Sequence, residues 1–306
     1  MSGPLKKDTK IDGASDPAQS GGSRIADRPL LGIAILVIGA SAAPVGDAIS
    51  KFLGSELSVI QIVWARYVFA LLAITPWLAL HMGPREIARF VTPLEVLRGL
   101  TVVGMTFFYI SAIQFMPLAD ALGLLFLYPL LATGLAVIFL GERVSMLLIG
   151  LSVLSLIGAL LVIKPGFGEL NLGMVFAILA ATAISINIVI SRKLAGRTPV
   201  FAGIAIATGI GTVVLSIFVP FVWVPPSLAQ WGLLVLIGFT YVIVTWSIYT
   251  AFLYGKASVI APFGYSEIIM ATALGFYVFG DFPDVWAFSG IAIICCAGVV
   301  MAMHKR

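Results

Sequence analysis

Five charged side chains, Asp47, Arg66, Arg98, Asp120 and Glu267, fall inside stretches that are otherwise apolar enough for a lipid interior. A charge at the bilayer centre costs roughly 2.5 to 3.5 kcal/mol on insertion scales, so such residues usually face a cavity or a partner and mark candidate sites. Glu267 is the most informative of them. It falls about ten residues from either end of a helix expected over roughly 257–279, which is about 15 Å of rise from each surface. Substrate contact, proton coupling, or a structural carboxyl that is protonated or paired with a base are the readings open to it. Pro262, five residues earlier, can loosen the helix and free backbone carbonyls that must then face protein or a water-filled cavity.

Asp47 and Arg66 are expected at similar depths on consecutive helices, so a structural ion pair competes evenly with a binding role. Asp47 has a second candidate partner in Lys51, one turn later on the same helix face. Arg98 and Asp120 lie nearer the membrane surfaces and read as packing or interface groups. Among the aromatics, Tyr265 shares the Glu267 helix, Tyr241, Trp246 and Tyr249 cluster in one segment, and Trp64, Tyr109 and Tyr128 are further candidates for a central cavity. A pocket of aromatic rings with one acidic group suits a cation or a flat ring. Taken singly, each of these rings is better explained by core packing or an interfacial belt than by a binding role.

Other chemistries lack their parts. His81 and His304 sit at expected helix ends, so the base that hydrolases and acyltransferases commonly take from histidine is badly placed. There is no phosphate loop, no carboxylate pair with metal-ligand spacing and no cysteine cluster; Cys295 and Cys296 are adjacent on one helix and point about 100° apart. No charge ring or filter sequence of a channel is visible. The chain therefore reads as a non-enzyme that needs no cofactor and no nucleic acid.

The elements that must position these residues follow from composition. The chain has 306 residues, 60% hydrophobic and 10% charged, with a mean hydropathy of +1.11, against roughly a quarter charged for soluble domains. Residues 1–29 are polar and expected to form a disordered cytoplasmic tail. The rest divides into ten apolar spans, roughly 30–53, 58–80, 95–115, 118–140, 145–164, 172–192, 199–222, 229–253, 257–279 and 284–303, each near the 20 residues a crossing needs. Nearly all Lys and Arg between spans fall on one side, from Lys6 and Arg28 through Arg85, Arg143, Arg192 and Lys256 to Arg306. By the positive-inside rule both termini are cytoplasmic.

Ala132-Thr133 followed by Gly141-Glu142 matches Ala271-Thr272 followed by Gly280-Asp281. Two five-helix repeats are thus expected, 30–164 and 172–303, aligning Tyr128 with Glu267. An odd number of crossings per repeat forces the second copy to insert upside down, an architecture with its site near the midplane between the halves. The expected fold is an all-α membrane protein of ten transmembrane helices in two inverted repeats.

Leu97-Arg98-Gly99-Leu100, Pro117-Leu118-Ala119-Asp120-Ala121 and Gly141-Glu142-Arg143 resemble the first EamA repeat of the drug/metabolite transporter superfamily, and Ser191-Arg192-Lys193-Leu194 with Ala257-Ser258 through Ala261-Pro262 resemble the second. Asp47-Ala48-Ile49-Ser50-Lys51, Arg66-Tyr67, Tyr265-Ser266-Glu267 and Asp281-Phe282-Pro283-Asp284 look closest to the S-adenosylmethionine uptake subgroup, with riboflavin importers sharing much of the pattern except at Glu267. The resemblance implies a secondary carrier in a bacterial inner membrane, working by alternating access on a small solute. Glu267, Tyr265, Tyr128, Arg66, Asp47, Tyr109, Trp246 and Tyr249 are the expected substrate-binding residues. Riboflavin import, export of an amino acid or other metabolite, and a non-transporting membrane scaffold are the alternatives. Protons as coupling ion and a homodimer are partner readings left open, as is the direction of transport.

Overall fold

A computed structural model describes residues 28–140, 146–163, 171–194, 197–251, 254, 263, 264 and 266–304. Among them every regular element is helical. In chain order these are α1 (Pro29–Leu53), α2 (Val59–His81), the short α3 (Pro84–Arg89), α4 (Pro93–Phe115), α5 (Leu118–Leu125), α6 (Tyr128–Leu140), α7 (Met146–Ile163), α8 (Leu172–Leu194), α9 (Val200–Phe218), α10 (Leu228–Ala251), α11 (Ser266–Leu274) and α12 (Val285–His304). The tail 1–27 lies outside the described residues.

Local chemistry sets the helix starts. Proline occupies the first turn of α1, α3 and α4, where its missing N–H is not needed and its φ is already helical. Ser58 accepts a hydrogen bond from the Gln61 N–H at 3.2 Å, and Thr92 one from the Glu95 N–H at 3.2 Å, as N-caps. At α10, Ser227 and Gln230 cap each other reciprocally: the Ser227 N–H donates to Gln230 Oε1 at 2.7 Å and the Gln230 N–H to Ser227 Oγ at 3.3 Å.

Among the described residues six helices are long and apolar enough to cross a membrane, namely α1, α2, α4, α8, α9 extended to Phe221, and α10. Shorter apolar stretches run over Leu118–Ala132, Ser266–Phe279 and Val285–Ala297. Large apolar side chains such as Ile38, Leu72, Val213 and Phe239 stay exposed on the outside of the bundle, the distribution of a protein solvated by lipid rather than water.

Two expected helices differ from their sequence outlines. The span over 118–140 is broken: α5 stops at Leu125, a turn at Phe126 and Leu127 follows, and α6 begins at Tyr128. Pro129 cannot donate to the Leu125 carbonyl, which is the physical reason for a break there. Among the described residues of the span over 257–279, residues 263 and 264 are 3-10 helical, the α-helix runs from Ser266, and after Leu274 it widens into a π turn over Gly275–Phe279. The expected loosening at Pro262 falls outside the described residues. The connection after α2 also carries the short α3.

Packing links distant elements. α1 packs on α10 and α4 on α8; α2 sits between α9 and α10, and α9 also meets α4. α1 meets α11, α8 meets α5 and α6, α5 meets α11, and α7 packs on α12. The core built by these contacts includes the fully buried Tyr67, Ile110, Leu122, Leu234 and Ile237. Tyr67 lies flat against Gly211 of α9, where an added Cβ would come within 2.7 Å of the ring.

Candidate functional site

Asp47 and Arg66 meet as an ion pair, Arg66 Nη2 to Asp47 Oδ1 at 3.0 Å, with side chains only 11% and 6% exposed for Arg66 and Asp47. Gly46 makes the approach feasible, since a Cβ there would sit 2.6 Å from Thr240 Oγ1 of α10 and 3.3 Å from Arg66 Nη2. The Arg66 guanidinium lies 5.9 Å from the centre of the Tyr241 ring, a cation–π distance. Its Nε is buried with no acceptor among the described residues. The competing Asp47–Lys51 contact is not formed; Lys51 turns to Asp281 instead.

Glu267 joins this pair from the other half of the chain. Among the described residues it occupies the first turn of α11. Its carboxyl is in electrostatic contact with Asp47 and Arg66, and both Tyr109 and Tyr128 feel its charge. Among the described residues it makes no hydrogen bond. Tyr109 is buried, and its hydroxyl approaches Asp47 without reaching hydrogen-bond geometry, so it too ends without an acceptor. Ser266 Oγ, next to Glu267, is a third buried polar atom in this state.

Tyr128 stands at the start of α6, the counterpart of the position Glu267 takes in α11. The Ser185 hydroxyl of α8 lies 3.0 Å from the Tyr128 carbonyl at the helix break. The break between α5 and α6 and the first turn of α11 thus lie beside the same charge cluster. Half-helix ends of this kind are a recurrent way to hold a solute in an apolar bundle.

Not every expected residue joins the cluster. Trp246 is half exposed and lines a separate cavity of about 200 Å³ with Ala73, Trp77, Phe201 and Thr245. On α2, Ala73 and Trp77 lie seven and eleven residues beyond Arg66, near whole numbers of turns, so this cavity continues the Arg66 face toward the α3 end of the bundle. Trp64 is drawn away toward the opposite end, where Nε1–H donates to Ser216 Oγ at 2.8 Å and the ring packs edge-on against Trp223. Tyr265 and the Tyr249 side chain lie outside the described residues.

Residues that sequence reasoning passed over carry two further features. Glu95 is fully buried and its Oε2 lies 2.8 Å from Arg98 Nη2; the only sequence signal was its place three residues after Thr92, which reads as an ordinary capping position. Tyr67 donates a hydrogen bond to Thr106 Oγ1 at 2.8 Å and stands edge-on to Tyr241, bracing the ring that faces Arg66. Among the described residues no three His, Cys, Asp or Glu side chains gather as a metal set.

What the arrangement can do is bind. Asp47 pairs with the Arg66 guanidinium and the Glu267 carboxyl lies in electrostatic range of both, beside buried polar atoms and aromatic rings in an apolar bundle. The chain is similar to several known proteins. S-adenosylmethionine uptake transporter of Rickettsia bellii is 23% identical over 277 residues, spanning 90% of this chain and 94% of that one. Pseudopaline exporter of Pseudomonas aeruginosa is 25% identical over 280 residues, 90% and 97% of the two chains. Riboflavin transporter of Vibrio cholerae is 23% identical over 275 residues, 88% and 92%. A solved crystal structure covers 91% of this chain and 99% of its own at TM-score 0.62 and 19% identity, a likeness of fold alone. The EamA-like transporter family model matches residues 30–164 and again 171–303. With its apolar helices and with nearly the whole chain after the tail matched twice, the protein is a multi-pass membrane protein that belongs to the EamA-like transporter family.

Proposed function

We propose that this protein is a secondary transporter of the bacterial inner membrane that carries a small solute with a cationic centre and an amino-acid end, S-adenosylmethionine being the leading candidate. The observation that carries the reading is the surplus carboxyl at the site: Asp47 pairs with Arg66, while Glu267 lies in electrostatic range of both with no hydrogen-bonded partner of its own among the described residues and would be held ionised by a cationic guest. A sulfonium or ammonium would supply the missing positive charge. Tyr128 and Tyr109 offer ring faces, and Arg66 Nε, without an acceptor among the described residues, offers a charge-assisted bond to a carboxylate.

Ten crossings in two inverted repeats, 30–164 and 172–303, with both termini cytoplasmic, complete the reading. The main packing pairs support it. When α5 and α6 count as one crossing and α3 as none, exchanging each crossing with the one five later turns α1–α10 into α8–α4, α2–α10 into α9–α4, and α1–α11 into α8 with α5 and α6; α2–α9, α5–α11 and α7–α12 map onto themselves. Two such halves can rock about the central cluster and expose it to one side at a time. The end bearing Lys51, Glu56 and Asp281 then faces the periplasm.

The experiment is counterflow in proteoliposomes loaded with S-adenosylmethionine, competed by riboflavin, amino acids and choline-like cations. Exchange of S-adenosylmethionine supports the cation site. Riboflavin needs stacking and neutral hydrogen bonds but leaves Glu267 without a partner, so transport of riboflavin with no competition by S-adenosylmethionine would refute it.

A further inference from the structure

Of the ion pairs formed between described residues, only one joins the two halves of the chain. Asp47–Arg66 lies within the first half and Glu95–Arg98 within α4, whereas Lys51 Nζ at the end of α1 meets Asp281 Oδ2, 230 residues away, at 2.6 Å. The contact is held from both sides. Lys51 Nζ also donates to the Met116 carbonyl at 3.3 Å and sits 4.8 Å above the Phe279 ring. Asp281 follows Gly280, whose φ of 72° is a left-handed value that suits glycine, and its N–H returns to the Gly275 carbonyl at 3.0 Å across the π turn.

The same end of the bundle carries other bonds between halves. Gln61 of α2 pairs with the Val224 backbone in both directions, at 2.8 and 3.0 Å, and Gln230 of α10 donates to Glu56. At the opposite end the described polar links between halves are the Arg28 N–H to the Tyr254 carbonyl at 2.9 Å and Asn187 to the Arg98 carbonyl and Thr101, and the cavity beside Trp77 and Trp246 opens there.

We infer that the Lys51–Asp281 pair is a releasable latch that holds the outer end of the transporter closed, and that its opening admits the periplasm to the Glu267 cluster. The inference rests on the alternating-access reading above. The exposure of its side chains, 15% for Lys51 and 33% for Asp281, suits a pair that must break and re-form in each cycle, since partly solvated charges lose little on separation. The more deeply buried Asp47–Arg66 pair, its side chains 6% and 11% exposed, is less suited to that cycle.

Leu274 reports on the path, because it lies seven residues after Glu267 on the same face of α11 and before Asp281. In cells carrying Leu274→Cys on a Cys295→Ala/Cys296→Ala background, an impermeant thiol reagent is added from outside and the labelling rate followed. Lys51→Met and Asp281→Asn should each raise that rate about tenfold, the effect of a ten-to-one shift in population. The charge-swapped pair Lys51→Asp/Asp281→Lys should bring it back toward the parent. Unchanged rates in both single variants, or a swap that restores nothing, overturn the latch. A Ser55→Cys control must label in every variant. If it labels only in inverted vesicles, the proposed orientation fails and the same comparison made in those vesicles decides the latch. No solute enters this assay: a rate shift beside failed counterflow with every solute would sink the transport reading alone, and unchanged rates in a protein that exchanges solute would sink the latch alone.

Discussion

Removing Arg66 and removing Asp47 should have unequal consequences, although the two form a single ion pair. At 3.0 Å the attraction is about 5 to 6 kcal/mol for an effective dielectric of about 20, and deleting one partner of a buried pair typically destabilises by about 3–5 kcal/mol because the other charge stays buried. Arg66→Gln leaves two carboxylates, Asp47 and Glu267, in electrostatic contact with no base, so we expect the full 3–5 kcal/mol. Asp47→Asn leaves Arg66 with Glu267 still within reach, so about 1–3 kcal/mol is expected, the lower part of that range. Asp47→Asn combined with Arg66→Gln removes both charges and should recover much of the Arg66→Gln loss, a non-additive cycle. Unfolding in mixed micelles titrated with SDS, followed by tryptophan fluorescence, measures all four proteins. Equal losses in the two single variants, or additivity in the double, would show that Glu267 does not share Arg66 and that the three charges are not one cluster.

Three further outcomes are expected. Tyr109→Phe deletes a buried hydroxyl that meets no acceptor among the described residues, so stability should hold or rise by about 1 kcal/mol, while the half-saturation concentration for transport rises up to about tenfold. Gly46→Val drives a side chain into Thr240 and Arg66 and should cost about 1–3 kcal/mol, seen as a lower melting temperature with reduced monodispersity. Ala195→Cys on the cysteine-free background should resist an impermeant reagent added outside while Glu56→Cys reacts; outside labelling at position 195 would defeat the ten-span topology.

Much of the helix layout was legible because apolar runs end in recognisable chemistry. Ser58 and Thr92 cap where the runs begin, Pro93 opens α4, and the spans expected over 58–80 and 172–192 match Val59–His81 and Leu172–Leu194 to within two residues. The break after Leu125 was hidden by its own composition, since Leu124-Leu125-Phe126-Leu127 is as apolar as the helices on either side and Pro129 was the sole flag. The residues that would extend the Glu267 helix toward 257 lie mostly outside the described ones, and within them Glu267 stands in the first turn of α11. The internal repeat nevertheless aligned Tyr128 with Glu267, and these two residues do stand in corresponding first turns beside one cluster.

Contacts between distant segments were less readable. Asp47 had two plausible bases, Lys51 at helical spacing and Arg66 at matching depth, and only three-dimensional packing around Gly46 selects Arg66. Lys51–Asp281 joins positions 230 residues apart, and no periodicity encodes such a partner. Aromatic residues were over-assigned to the site because a Trp or Tyr looks alike in a cavity, a belt or a core; Trp64 and Trp246 went elsewhere, while Tyr67 and Tyr241 brace Arg66.

The central claim is that Glu267 serves the solute and not the fold, and Glu267→Gln tests it most directly because the substitution keeps shape and hydrogen-bonding capacity while removing the charge. Wild type and Glu267→Gln would be reconstituted at equal density and assayed for S-adenosylmethionine exchange and for monodispersity. We expect normal insertion and a monodisperse protein with exchange abolished. Exchange at the wild-type rate with unchanged pH dependence, or a protein that fails to insert and aggregates, would contradict it.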